Sequence, residues 1–403
     1  MTALSTTSDF KLTQAKLAIR ATFIVNGLCW APFVVRFPEF KQMLGLGNAR
    51  FGQLLFLAAL GLLLGMQPAG RLCARWGSGP VVLWSTVILP ISTLSFSNSS
   101  EVLGFCLTLF TFAWVIAIQD VSMNAHGALL ERLSGQPLMN GFHAWFSVGA
   151  LLGGGYGAAC VALKISIFHQ TIPGAVLMWI LVLWMRTRLL SGEEDRHSKE
   201  SSESKKRLPL RHTSLFIVLG LLGLAAAVCE GAASDWGAIL AHETFGASPF
   251  VASIPYICFQ VAMVCGRFSG DRFITRFGRE AIIRWGGLVA GVGLIIGLIV
   301  GGIGGVVFSW ITLGLGVSVA IPTFFSASAE LASNDYSEHL VPAQAVAIVT
   351  GLSYAGFLLG PPTVGALSEA VTLRWAMLGP AVGILIMAAC ARVVRVTALS
   401  VES

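Results

Sequence analysis

Val102–Gln119 reads VLGFCLTLFTFAWVIAIQ, eighteen residues without a charge, and Asp120 follows it directly. As a helix rising 1.5 Å per residue this run is about 27 Å long, close to the ~30 Å of hydrocarbon in a bilayer. A charge after such a run stands at membrane depth or at its edge. The chain continues from Gln119 to Gly157 as QDVSMNAHGALLERLSGQPLMNGFHAWFSVGALLGGGYG. An acid, an amide and a histidine are thus placed inside two long apolar segments rather than in a solvated loop.

Outward from that stretch, the pattern repeats. The 403 residues are 55% hydrophobic and 11% charged, and the mean hydropathy is +0.78. Apolar blocks of about 20 residues recur from end to end, which defines a polytopic membrane protein. The first 16 residues are polar and no cleavable signal peptide is visible, so the start reads as a short cytoplasmic tail. The eight cysteines are scattered in or beside apolar segments, without metal-ligand or disulfide spacing, and read as small packing residues.

Twelve apolar segments are assigned, at 17–35, 51–70, 79–97, 102–118, 142–163, 171–187, 214–234, 248–266, 281–300, 304–322, 342–362 and 373–391. Each must be a helix, because in lipid every backbone N–H and C=O has to be satisfied within its own segment, and barrel strands are about half this length. With the N-terminus inside, 21 of the 26 Lys and Arg residues fall on the cytoplasmic side and 5 on the other. That asymmetry predicts both termini in the cytoplasm. It also gives the +6 charge a topological meaning and leaves no reason to expect nucleic acid as a partner.

One hydrophilic insertion, SGEEDRHSKESSESKKRLPLRHTS, separates spans six and seven. Its mixed charges and serines cannot order a core, so 191–213 is expected to be a cytoplasmic linker between six-helix halves at 1–190 and 214–403. The halves look related. Arg75-Trp76-Gly77 matches Arg276-Phe277-Gly278, Gly149-x-Leu-Leu-Gly153 matches Gly356-x-Leu-Leu-Gly360, and Asn26-Gly27 corresponds to Glu230-Gly231. Their common order and nearly constant offset indicate an internal repeat, and two such repeats about a central cavity are a transporter design.

These residues resemble the major facilitator superfamily over nearly the whole chain. A closer resemblance is to the bacterial branch of MocC-like rhizopine transporters and YbjJ-like proteins, related to fucose permeases. It is carried by Asp120-x-x-x-Asn124-x-x-Gly127, by His143 with Phe146-Ser147-x-Gly149, by Glu230-Gly231-x-x-x-Asp235-Trp236 and by Gly360-Pro361-Pro362. The resemblance implies an all-α fold of twelve transmembrane helices in two pseudo-symmetric halves. It also implies gating loops after spans two and eight, here Arg71, Arg75 and Gly77, and Arg276, Gly278 and Arg279. The superfamily signature carries an acid just before its Arg-x-Gly, where this chain has Ala74 and Thr275. Fucose permeases carry an acid in span one, a position near Val34 here, so coupling in this chain would depend on span four.

A carboxylate inside a bilayer costs roughly 2.5–3.5 kcal/mol and is retained mostly where it faces a cavity or a partner. Of the twenty acids, only Asp120 and Glu230 fall deep within apolar segments; Asp235 and Glu330 read as near helix ends. Asp120 and Asn124 are four residues apart and share a helix face, with Gln119 beside them. That face offers a carboxylate and amides for a hydroxylated or amine-bearing solute, and a structural bond to a neighbouring helix is the competing reading. Glu230 is either a proton site, a substrate ligand or a partner near the periplasmic gate. His143 could relay protons to Asp120, though a helix-end histidine is more often a satisfied structural donor. Asn26, Trp30, Gln260 and Gln344 are further candidates for lining the cavity. The glycine runs read as sites of close helix approach, and Pro361-Pro362 should bend or interrupt span eleven.

The sequence therefore predicts a secondary active transporter, not an enzyme, that moves a small polar organic solute by alternating access. Proton symport of a sugar-like or polyol-like solute is the leading form. Proton-coupled export of a metabolite or drug, or a non-transporting sensor or scaffold, are the alternatives. A monomer in the lipid bilayer is expected, with protons as the driving force and no cofactor or metal. No phosphate-binding loop is present and no nucleophile–base set can be found.

Overall fold

Long helices fill the described residues, 9–135, 138–191, 210–334 and 342–398 of a computed structural model. The first half contains α1 (Asp9–Val34), the short α2 (Phe37–Met43), α3 (Asn48–Trp76), α4 (Ser78–Ser97), α5 (Val102–Ser134), α6 (Met139–Ala162) and α7 (Ile167–Met185). The second contains α8 (Leu210–Ile239), continued by a π-helical turn at Leu240–Thr244, then α9 (Pro249–Phe277) and α10 (Arg279–Val300). It ends with α11 (Gly302–Val317), α12 (Ala320–Asn334), α13 (Pro342–Ala376) and α14 (Leu378–Ala389).

Among the described residues ten helical segments are long and apolar enough to cross a membrane, Gly302–Ala332 counting as one, and a further pair is bent by 70° after Ala376. The backbone of α13 leaves helical geometry at Thr372 (φ 69°, ψ 154°), which separates spans eleven and twelve. The helix runs without interruption through Pro361 and Pro362, which corrects the interruption expected there, whereas Thr372 falls in the gap expected between segments 342–362 and 373–391. A proline ring tilts a helix but need not end it when neighbouring helices hold both sides. Several helices outrun their apolar cores: α5 has 33 residues and α9 has 29. The linker expected over 191–213 falls, apart from its ends, outside the described residues.

Side-chain placement is that of a protein in lipid. Leu103, Leu183 and Val300 are 72%, 65% and 71% exposed, while Ser122, His126 and Gln119 are fully buried. Apolar surface on this scale has no stable solvent but hydrocarbon.

The chain forms two compact units, Met1–Arg36, Gln42–Gly45 and Leu57–Ser202 in one, and Phe37–Lys41, Leu46–Phe56 and Glu203–Ser403 in the other. In the first, α1 packs most extensively on α6; in the second, α8 packs most extensively on α13. Glycines make both approaches possible. A Cβ on Gly149 would lie 2.0 Å from the Ile24 carbonyl oxygen, and one on Gly356 would lie 2.5 Å from that of Leu224. Near Ala18 and Phe142 the first unit closes over a core of Ile19, Phe23, Val82, Met123, Leu130 and Met185.

The backbone repeats as the motifs do. Gly45 and Gly246 have φ of 61° and 67°, Gly77 and Gly278 have 87° and 79°, and Lys164 and Thr372 have 54° and 69°. The offsets between partners are 201, 201 and 208 residues. Each pair turns the chain between equivalent helices of the two halves.

Candidate functional site

In the first unit the polar residues of spans one, three and four meet. Asn26 donates through Nδ2 to Gln119 Oε1 at 2.9 Å, and Gln119 donates through Nε2 to Thr86 Oγ1 at 2.8 Å. All three side chains are buried. Gln119 and Asn26, candidates for solute binding from their amide chemistry, are therefore committed to each other and to Thr86 in this conformation. A buried amide must be satisfied inside the protein, and here three helices are joined by doing so.

Asp120 lies on the adjoining face of α5 and is partly accessible. Asn124 Nδ2 donates to the Asp120 carbonyl oxygen at 2.8 Å and to its Oδ1 at 3.2 Å, which is the one-turn relationship read from the spacing. Among the described residues no cation pairs with this carboxylate. Trp30, one turn after Asn26, is partly accessible and stacks on Phe112 with ring centroids 5.7 Å apart. Phe33 and Phe96 extend the same aromatic group.

His143 is exposed on α6, its ring edge-on to Phe23 at 5.3 Å. Buried His126, in contrast, is a staple. Its Nε2 accepts from the Leu190 N–H at 3.3 Å, so Nδ1 carries the proton and donates to Ser78 Oγ at 2.9 Å. Glu131 accepts the Leu138 and Met139 N–H groups, at 2.6 and 3.0 Å, and so holds the start of α6.

In the second unit Glu230 Oε1 faces Arg267 Nη2 at 3.5 Å, both side chains about one-fifth exposed. Arg267 also donates through Nε to the Ser318 carbonyl oxygen at 3.4 Å. Among the cytoplasmic Lys and Arg, Arg267 looked like a loop charge. It lies instead inside α9, because that helix runs on past its apolar core. Asp235 departs from its expected place as well: α8 and the π-helical turn after it carry the helix to Thr244, so Asp235 is inside a continuous helix. Tyr256, buried on α9, is hydrogen-bonded to Gln260 and lies within electrostatic reach of both Glu230 and Asp235. Gln260 is thereby drawn into the acidic group. Gln344 belongs to α13, and its side chain lies outside the described residues.

The loops after spans two and eight share their turn. Gly77 and Gly278 have ψ of 158° in both cases, a conformation open almost only to glycine. Arg71 and Arg75 are exposed, Arg276 lies over the Phe277 ring at 5.3 Å, and Arg279 forms an ion pair with Glu330. At the end of the second unit that includes Phe37–Lys41, Lys41 Nζ meets Glu243 Oε2 at 2.5 Å, and Glu369 accepts the Ala49 N–H at 3.1 Å. Neither pairing is visible in the sequence, since the partners stand 202 and 320 residues apart.

Comparison with known proteins gives this arrangement its family. An uncharacterised MFS-type transporter of Yersinia pestis is 31% identical over 385 residues, covering 94% of this chain and 95% of the relative. In fold, a mutant of the nucleoside transporter NupG matches with a TM-score of 0.76 at 13% identity, covering 94% of this chain and 99% of that one. A D-xylose-proton symporter matches with a TM-score of 0.74 at 14% identity, covering 94% and 97%. The family model described as Major Facilitator Superfamily spans residues 21–341, and with twelve spans in two repeats the chain belongs to that superfamily of membrane transporters.

Proposed function

We propose that this transporter is a proton-coupled symporter of a small polar organic solute of the sugar or polyol kind. The observation that carries this reading is Asp120: a carboxylate in a membrane-spanning helix, hydrogen-bonded to Asn124 and without a cation partner among the described residues. An acid in that setting is stabilised by taking up a proton and can release it when water reaches it. Asn124 and the accessible side of Trp30 supply the amide and aromatic surfaces on which a hydroxylated ring binds. The likeness in fold to a D-xylose-proton symporter supports the same direction. The Lys and Arg asymmetry supports an inner-membrane protein with both termini cytoplasmic.

The test is proton uptake by proteoliposomes carrying the full chain, read with an internal pH dye while sugars and polyols are added one at a time. A solute that acidifies the lumen with wild-type protein and not with Asp120→Asn supports the reading. Equal acidification by both proteins would remove Asp120 from coupling.

A further inference from the structure

The second unit holds two acids in one membrane-spanning helix, and they stand in different circumstances. Glu230 faces Arg267 at 3.5 Å, and Arg267 is anchored further by the Ser318 carbonyl. Asp235, five residues on, is partly accessible, and no ion pair reaches it among the described residues. Tyr256, on the neighbouring helix α9, lies within electrostatic reach of it. A carboxylate opposite a guanidinium stays ionised, because protonation would strand the arginine charge in a poorly solvated place. A carboxylate without a cation in the same medium has the opposite preference and exchanges protons with whatever water enters.

The other charged groups around this helix do not alter the contrast. On α9, Arg267 is paired with Glu230, Arg272 is exposed, Arg276 lies over the Phe277 ring and the side chain of Asp271 is outside the described residues. In the segment 46–56, Arg50 is exposed. Next to the π-helical turn, Lys41 is committed to Glu243. On α13, Glu369 accepts the Ala49 N–H, Arg374 donates to the Leu298 and Ile299 carbonyls, and Tyr354 is packed edge-on against Phe357. On α12, Glu330 is paired with Arg279.

We propose that Asp235 is the proton-exchanging acid of the second unit, and that Glu230 serves as the fixed counter-charge of Arg267. This rests on the reading of the chain as proton-coupled, but its test requires no solute. The purified full chain in an Asp120→Asn background is titrated with attenuated total reflection infrared spectroscopy, following the C=O stretch of protonated carboxylic acids. A band that titrates above the range of surface carboxylates should be present, should shift when aspartate is 13C-labelled, and should vanish in Asp235→Asn. Glu230→Gln should leave it in place, while Arg267→Gln should add a second band that aspartate labelling does not move.

Persistence of the band in Asp235→Asn, or its loss in Glu230→Gln, would overturn the proposal. Where Asp235→Asn does not fold, Asp235→Glu keeps an acid at the position: its band should persist and no longer respond to aspartate labelling, whereas a band that still shifts with the label would belong to one of the other aspartates and overturn the proposal. With the native Asp235, a band insensitive to aspartate labelling would likewise overturn it. Absence of solute-driven proton uptake would defeat the symport reading alone, since the titration does not depend on transport.

Discussion

Replacing Gly149 by alanine adds one methyl group, and the structure fixes what that group meets. Its Cβ would lie 2.0 Å from the Ile24 carbonyl oxygen and 2.9 Å from the Ile24 Cα. Carbon and oxygen pack at roughly 3.3–3.6 Å, so α1 and α6 must separate by about 1 Å or more to admit it. Overpacking of this kind costs about 1–3 kcal/mol. Alanine is intrinsically the better helix former by about 0.5–1 kcal/mol, which offsets part of the cost. Gly155 provides the control in the same helix, because a Cβ there meets nothing within 4 Å. Gly155→Ala should therefore be neutral or stabilising, and because both variants gain the same helix propensity they should differ by the overpacking cost, about 1–3 kcal/mol. Midpoints of heat-induced loss of the monodisperse peak in detergent would rank them, with Gly149→Ala several degrees below wild type. Equal midpoints for the two variants would refute the close approach of α1 and α6. Gly356→Ala, whose Cβ would meet the Leu224 carbonyl at 2.5 Å, should repeat the loss in the second unit.

Two further expectations are independent of that one. Thr372 holds a conformation nearly reserved for glycine, at a cost of about 1–3 kcal/mol, so Thr372→Gly should raise the midpoint in the same assay; a lowered midpoint would mean that the threonine side chain contributes more than its backbone loses. Lys41 is buried against Glu243, and a double-mutant cycle with Lys41→Ala and Glu243→Gln should give a coupling of about 1–3 kcal/mol, whereas additive effects would make the pair incidental.

The spans were legible because lipid imposes a length and forbids unpaired backbone, so a run such as 102–118 has one reading. The repeat was legible because its turns are built from Gly77 and Gly278, whose conformation few other residues accept. Thr372 occupies the same backbone state without the residue that announces it, yet it falls in the gap left between segments 342–362 and 373–391; the bend or interruption expected at Pro361-Pro362 rests on the proline rings alone. Local spacing revealed the Asp120–Asn124 pair, since one helical turn separates them. It could not reveal that Gln119 and Asn26 bind each other, because nothing in a sequence states which of several buried amides will meet. Arg267 was hidden for a simpler reason: it follows the apolar run that defines span eight, and helices continue past the hydrocarbon they need. Asp235 was hidden in the same way at the far end of span seven.

The repeated turns carry a consequence for how the two halves diverged. Lys164 and Thr372 both hold a positive φ between equivalent helices although their side chains are unrelated, so the halves share a chain path where they do not share the chemistry written on it. The acids did not keep such company: Asp120 belongs to span four and Glu230 and Asp235 to span seven, with no acidic counterparts at the matching positions of the other half. A near-symmetric frame carrying its acids at unlike positions gives each half polar equipment that the other lacks. Grafting an acid from one half onto the matching position of the other would keep the frame and redistribute the labour.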